Sequence, residues 1–86
     1  MKDVAGAKSK ALGFVLIRTL PTKEQEVYKA LNAMPEIKDK QALFGEYDMI
    51  LKVETSGQEE LGTFVVNKIR AIDGILDTKT LVATKF

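Results

Sequence analysis

The four residues Gly45-Glu46-Tyr47-Asp48 combine a glycine, two acids and a tyrosine. They directly precede a strand-like apolar segment that begins at Met49. A carboxylate such as that of Asp48 accepts charge-assisted hydrogen bonds, including bonds from an ammonium group. Tyr47 offers an apolar ring with a hydroxyl, and Gly45 lets a ligand approach the backbone closely. These residue types favour a site for a small polar molecule, although a hairpin turn is the simpler interpretation of the segment.

Two threonines near the C-terminal end supply hydroxyl donors. Thr78 and Thr80 are two positions apart, so a strand places both on one face, where they could donate to a carboxylate. Each residue also has a structural interpretation. Threonine is common in strands, Asp48 can bond a backbone amide, and Tyr47 can pack in an interface.

The composition argues against several classes of function. The chain of 86 residues contains no cysteine and no histidine, which removes the commonest general base and transition-metal ligands. The sequence shows no motif for a catalytic nucleophile and no pair of acidic residues placed for acid–base catalysis. We therefore expect neither an enzyme nor a metal or cofactor site. A net charge of +1 argues against direct nucleic-acid binding. Apolar runs are too short for a membrane span or a signal peptide, which predicts a soluble cytoplasmic protein.

The apolar periodicity predicts one α+β domain with the ferredoxin-like order βαββαβ. Pro35 and Gly74 end the two helices. Each helix is expected to begin at a capping box, the first in residues 22–25 with Thr22 as the N-cap and the second in residues 56–59. In the last strand, alternation places Leu76 on the face of Thr78 and Thr80. The predicted strands cover residues 12–19, 36–44, 47–54 and 76–86.

Both helices are expected on one face of the sheet, which leaves the other face bare. The first strand carries apolar residues on both faces, and such a patch is larger than monomers usually expose. We therefore predict a homodimer in which two sheets pack together, an assembly of the dimeric α+β barrel type. The predicted interface residues are Phe14, Val15, Leu16, Ile17 and Phe44.

With its elements in this order, the chain resembles the RAM domain, the amino-acid-sensing effector domain of the Lrp/AsnC transcriptional regulators. Three segments carry the resemblance: GEYDMILKV at 45–53, MPEIKDK at 34–40 and IDGILDTKTLV at 72–82. The resemblance implies a ligand-binding and oligomerisation domain over residues 12–86, after a flexible segment 1–11. It also implies a free amino acid as ligand, bound between neighbouring dimers of a ring. The family's turn and final-strand motifs correspond to Gly45, Tyr47, Asp48, Thr78 and Thr80.

Full-length regulators of this kind carry an N-terminal helix-turn-helix domain, and only about a dozen residues precede the first strand here. The expectation is therefore a sensing module without its own DNA-binding domain, which could join oligomers of full-length regulators. Two alternatives stay open. One is a ligand-free interaction protein that oligomerises with such regulators. The other is an ACT-like regulatory domain, although Leu20-Pro21-Thr22 lacks the glycine usual in that family's loop.

Overall fold

The computed structural model describes residues 10–84 and confirms the predicted order of helices and strands. The segment expected to be flexible lies outside the described residues except for Lys10 and Ala11, and Ala11 already belongs to the first strand. The second helix continues directly into a π-helical turn. The elements are β1 (Ala11–Thr19), α1 (Glu24–Asn32), β2 (Ile37–Ala42), β3 (Met49–Thr55), α2 (Gln58–Phe64) with its π-helical turn (Val65–Ile69), and β4 (Ile75–Val82).

The four strands form one antiparallel sheet in the order β2-β3-β1-β4. Both helices cover the same face, because their buried side chains share one core cluster with alternate residues of the central strands. Within residues 10–84, no helix is both long and apolar enough to cross a membrane. The core side chains from the helices are Val27, Leu31, Leu61, Phe64, Val65 and Ile69, and those from the strands include Val15, Ile17, Met49, Leu51 and Val53.

The side-chain alternation of β1 corrects part of the predicted dimer interface. Val15 and Ile17 are 0% exposed and lie in the core beneath the helices. The prediction that these two residues form an interface is wrong, because successive strand residues point to opposite faces and this pair belongs to the helix side. Phe14 and Leu16 point to the other face and keep partial exposure.

We call the surface opposite the helices the open sheet face. Phe14 pairs with Lys52 of β3 and Leu81 of β4, and Leu16 pairs with Ile50 of β3. Directly opposed residues share a face, so these side chains form one surface with an apolar centre. Its apolar residues are Leu12, Phe14, Leu16, Ile50 and Leu81, and its charged residues are Arg18, Asp39, Lys52, Glu54, Asp77 and Lys79.

The two predicted capping boxes are wrong. Helix α1 begins after Lys23, and Thr22 takes a positive φ of 74° in the turn before it. The Lys23 amide donates to the Leu20 carbonyl at 3.0 Å, which closes a four-residue turn with Pro21 at its second position. A turn with proline there and a positive φ next is of type II, so Thr22 cannot adopt the extended conformation of an N-cap.

The second helix begins one residue later than its capping box requires. Its N-cap is Gly57, which has no side chain, and no side-chain hydrogen bond caps the helix. The preceding turn is closed instead by the Thr55 hydroxyl, which donates to the Gly57 carbonyl at 2.7 Å.

Replacing Thr22 by glycine should stabilise the protein by about 1 kcal/mol. A positive φ costs a β-branched residue ~1–3 kcal/mol, whereas the added freedom of glycine in the unfolded chain costs ~0.4–1 kcal/mol. Chemical denaturation measures the free energy of unfolding. Thr22→Ala is the matched control and should give no gain, because alanine keeps the Cβ that disfavours this φ. A Thr22→Gly variant that is less stable than wild type by ~0.4–1 kcal/mol would show that the turn carries no strain.

Interactions with the loop before β4 hold the start of α1 in place. The Leu20 amide donates to the Gly74 carbonyl at 2.8 Å. The Lys23 Nζ lies 3.3 Å from a Glu26 carboxylate oxygen and 3.5 Å from one of Asp73. The pKa of Lys23 is raised above its ordinary value, chiefly by the hydrogen bond from its ammonium to Glu26 and further by the charges of both carboxylates. The turn at Gly74 and the start of α1 therefore form one junction.

Candidate functional site

The connection between β2 and β3 contains the glycine, tyrosine and aspartate that the sequence singled out. The Leu43 amide donates to the Asp48 carbonyl at 2.9 Å, which closes the connection. Gly45 is exposed and has a φ of 150°, and a Cβ added there would meet no atom within 4 Å. Backbone conformation, rather than crowding, is therefore what favours glycine at this position. Tyr47 is half-buried.

The Asp48 carboxylate binds the end of β1. Its Oδ2 accepts from the Thr19 amide at 2.7 Å and from the Thr19 hydroxyl at 3.3 Å. The Asp48 amide donates to the Ile17 carbonyl at 2.8 Å, which extends the pairing of β1 with β3 by one residue. Asp48 therefore has the structural role that its sequence position allowed, in which its carboxylate accepts a hydrogen bond from a backbone amide. A carboxylate offers about four lone-pair sites on its two oxygens, so Asp48 keeps capacity for a further donor.

Beside this aspartate lies a groove of about 640 Å³ between α1 and the β2–β3 connection, which we call the hairpin groove. Its apolar walls include Tyr28 from α1 and Met49 at the start of β3, and Asp48 supplies a carboxylate. The Lys40 Nζ lies 4.7 Å from the centroid of the Tyr28 ring, a cation–π contact between β2 and α1. The volume suits a small ligand.

The threonines of β4 lie on the other side of β1. Thr78 pairs with Ile17 and Thr80 with Val15, so both face the helix side of the sheet. The prediction that the two threonines share one face is confirmed. Thr78 is half-buried and Thr80 is exposed. Neighbouring strands are ~4.8 Å apart, so Thr78 lies about 10 Å from the end of β3 that carries Asp48. One chain therefore does not bring the two predicted halves of the site together.

The prediction that Leu76 shares a face with Thr78 and Thr80 is wrong, because β4 contains an irregularity. Thr19 pairs with Ile75 and Arg18 with Asp77, so the register shifts and Leu76 is the extra residue. Ile75 packs against the core, whereas Leu76 is 54% exposed. An extra residue interrupts strict alternation at this point of the strand.

Sequence reasoning missed the aromatic residue of α1 and misjudged one in the hairpin. Tyr28 stands outside the apolar stripe of Val27 and Leu31, and an aromatic residue on the polar side of a helix is the signal that could have identified it. Phe44 was assigned to a strand in the sheet interface. Since β2 ends at Ala42, Phe44 lies in the connection and outside the open sheet face, and its part in any interface stays a prediction.

A second groove of about 510 Å³ lies between the start of β2 and α2 and carries Glu36, Glu59 and Glu60. Among residues 10–84, no group of three potential ligands is arranged to hold a metal ion.

The fold and the groove define a small α+β domain of the ligand-binding type. Residues 12–86 match the family model described as the Lrp/AsnC ligand binding domain. The chain belongs to this family, and the resemblance seen in its sequence is confirmed. Family membership also favours the regulator interpretation over the ACT-like alternative.

The curated relatives are transcriptional regulators rather than enzymes. The uncharacterized HTH-type transcriptional regulator PH1916 of Pyrococcus horikoshii is 36% identical over 73 residues, which cover 81% of this chain and 49% of PH1916. The chain thus spans about half the length of the curated relatives it matches.

Solved structures support the same fold. The chain FFRP-DM1 superposes with a TM-score of 0.83 at 42% identity, covering 86% of this chain and 99% of that one. The transcriptional regulator NMB0573 of Neisseria meningitidis, solved in complex with L-Met, superposes with a TM-score of 0.82. This match covers 99% of this chain and 56% of NMB0573, and at 18% identity it shows the fold alone.

Proposed function

We propose that this chain is an amino-acid-binding effector module of an Lrp/AsnC-type regulatory system. The supporting observation is the Asp48 carboxylate on the wall of the hairpin groove, in a chain that belongs to this ligand-binding family. A protein of the same fold, NMB0573, is known in complex with L-Met. The ligand class we propose is therefore the free amino acid.

In this proposal Asp48 accepts a hydrogen bond from the ligand ammonium, beside the backbone at Gly45 and the ring of Tyr47. Thr78 and Thr80 of a neighbouring chain donate to the ligand carboxylate. A second chain is needed because β1 separates the aspartate from the threonines of its own chain. Strand β4 is at the edge of the sheet, which leaves its threonines within reach of a neighbour.

The minimal assembly is a dimer that buries the open sheet face. Phe14, Leu16 and Ile50 give it an apolar centre, and burying such side chains contributes ~25 cal/mol per Å². Charged residues of both signs surround that centre, among them Arg18 and Asp77, which oppose each other on neighbouring strands of one chain. Where these charges meet opposite charges of the partner chain, they favour a defined arrangement over non-specific association.

The open sheet face could also pair with the corresponding face of a longer regulator. A relative such as PH1916 is about twice as long as the matched region and is named as an HTH-type regulator. We propose that this chain acts in the cytoplasm, mixes with full-length regulators through the open sheet face, and leaves direct DNA contact to them. Its net charge of +1 agrees with that division of roles.

Replacing Asp48 by asparagine should weaken amino-acid binding by about 10- to 150-fold. The substitution removes a charge-assisted bond to the ammonium, which is worth ~1.5–3 kcal/mol, and keeps an oxygen that accepts from the Thr19 amide. Calorimetric titration of the wild type with each of the twenty amino acids identifies the ligand, and titration of the variant follows. Glu60→Gln is the matched control, because Glu60 is an exposed carboxylate on α2, outside both the hairpin groove and the open sheet face.

A specific observation favours the alternative, a ligand-free interaction protein: the Asp48 carboxylate already bonds the Thr19 amide within its own chain. Absence of heat with all twenty amino acids at millimolar concentration, together with an unchanged sedimentation coefficient, would support that alternative. Binding that is equally strong in wild type and Asp48→Asn would leave the sensing function intact and remove Asp48 from the site.

A further inference from the structure

Thr19 is the only polar residue that is buried among residues 10–84, with an exposure of 6%. Alternation along β1 places it on the helix side of the sheet, after Val15 and Ile17. Burial of a polar side chain costs free energy unless the side chain forms a hydrogen bond. An apolar β-branched residue would fill a strand position of this kind without that requirement. Core packing therefore does not explain why this residue carries a hydroxyl.

Thr19 supplies two donors to one oxygen of Asp48. Its amide lies 2.7 Å and its hydroxyl 3.3 Å from Asp48 Oδ2. The pairing of β1 with β3 ends at Ile17 and Met49, so the Asp48 side chain takes the place of a strand carbonyl for the Thr19 amide. Because both donors converge on Oδ2, Oδ1 is the oxygen that remains for the hairpin groove, which Asp48 lines.

The irregularity of β4 lies directly opposite this residue. Thr19 pairs with Ile75 and Arg18 with Asp77, so the extra residue of β4 falls between these two pairs. An extra residue in a strand changes the direction of nearby side chains and is common beside functional sites. The next amide of the chain, that of Leu20, donates to a carbonyl of the loop before β4 at 2.8 Å. The end of β1 is thus bonded on both sides, and the two donors of Thr19 are held with it.

We propose that Thr19 is a positioning residue of the amino-acid site, which holds Asp48 Oδ2 so that Oδ1 is presented to the ligand ammonium. The inference rests on the proposed function, because it assigns a role within that same site. Thr19 acts through Asp48 and does not contact the amino acid itself. A carboxylate that is fixed before binding loses less conformational entropy when the ammonium arrives. The bond that Asp48 makes within its own chain therefore prepares the carboxylate for binding.

Removal of the hydroxyl tests the positioning. Thr19→Val keeps the backbone amide and a β-branched side chain, and calorimetric titration with each of the twenty free amino acids compares it with wild type. For each amino acid that wild type binds, the affinity should fall by about 3- to 10-fold, the factor expected for one hydrogen bond. Thr19→Ala also lacks the hydroxyl and should show the same loss. Thr19→Ser keeps the hydroxyl, so its affinity should stay within about 2-fold of wild type.

The matched control is Thr63→Val, because Thr63 is an exposed threonine on α2 outside the hairpin groove. Its affinity for the same amino acids should equal that of wild type. Urea denaturation of every variant should show one cooperative transition, which separates a loss of affinity from a loss of fold.

A double-mutant cycle separates positioning from a general structural effect. In an Asp48→Asn background the carboxylate that Thr19 positions is absent, so adding Thr19→Val should change the affinity by less than about 2-fold. A loss in that background as large as in the wild type would overturn the proposal, and so would a Thr19→Val variant that binds as tightly as wild type. These results leave amino-acid binding itself intact. A wild-type chain that binds none of the twenty amino acids instead removes the proposed function, and the role of Thr19 with it.

Discussion

Replacing Gly74 by alanine should destabilise the fold by about 2–6 kcal/mol. Gly74 has a φ of 105°, and a conformation of this kind costs other residues ~1–3 kcal/mol. A Cβ there would lie 2.8 Å from the Lys23 Cβ and 3.1 Å from the Val27 Cγ2, and overpacking costs a further ~1–3 kcal/mol. Because the Lys23 Cβ is fixed to the backbone at the start of α1, the helix itself would have to shift. Urea denaturation measures the change.

Gly62→Ala is the matched control for that measurement. Gly62 lies within α2, and an added Cβ would meet nothing within 4 Å. Alanine is favoured over glycine inside a helix by ~0.5–1 kcal/mol, so this variant should be more stable than wild type. Two glycine-to-alanine changes in one chain are thus expected to have opposite signs. If Gly74→Ala proved as stable as Gly62→Ala, the junction of β4 with α1 would not be as close as described.

Replacing Leu16 by aspartate should raise the dissociation constant of the sheet-to-sheet dimer by at least about 100-fold. Leu16 lies near the centre of the open sheet face, opposite Ile50 in register. An unpaired charge buried in an interface costs ~3–5 kcal/mol, which corresponds to this factor or more. At about 10 μM, wild-type chain should sediment as a dimer or larger species, and the variant as a monomer.

The control for this experiment is Val66→Asp, which introduces the same charge at an exposed position on the helix side of the sheet. Circular dichroism should show that both variants keep the native fold, because neither Leu16 nor Val66 belongs to the buried core cluster. A wild-type chain that stays monomeric at high concentration would remove the open sheet face as an interface. It would also leave the threonines of β4 without a neighbouring aspartate.

The order of elements and most of the core could be predicted from the sequence, because both depend on local periodicity. Val27 and Leu31 recur at helical spacing, and Met49, Leu51 and Val53 alternate as in a strand. All five are buried in the structure. The prediction that Gly74 ends the second helix was wrong, because the π-helical turn already ends at Ile69. Only the positive φ expected of this glycine is confirmed, in the turn before β4. Helical spacing, strand alternation and the conformation of a glycine can all be predicted from one sequence, because each involves residues only a few positions apart.

The faces of β1 and the geometry of the site were decided by contacts between distant residues. Val15 and Ile17 could not be told from Phe14 and Leu16 by sequence, because all four are apolar, and only the packing of the helices selects which pair is covered. The partner of Asp48 is Thr19, which is 29 positions away in the chain.

The amino-acid sequence by itself determined the fold class, the family and the segment that carries the candidate aspartate. Tertiary structure decided that Thr22 takes a turn conformation, that Phe44 projects beside the hairpin groove, and that β1 separates Asp48 from Thr78. The physical reason is the range of the interactions. Helical and strand periodicity depend on neighbours in sequence, whereas strand register, the close approach of helix to sheet and the exposure of a loop residue depend on how the whole chain packs.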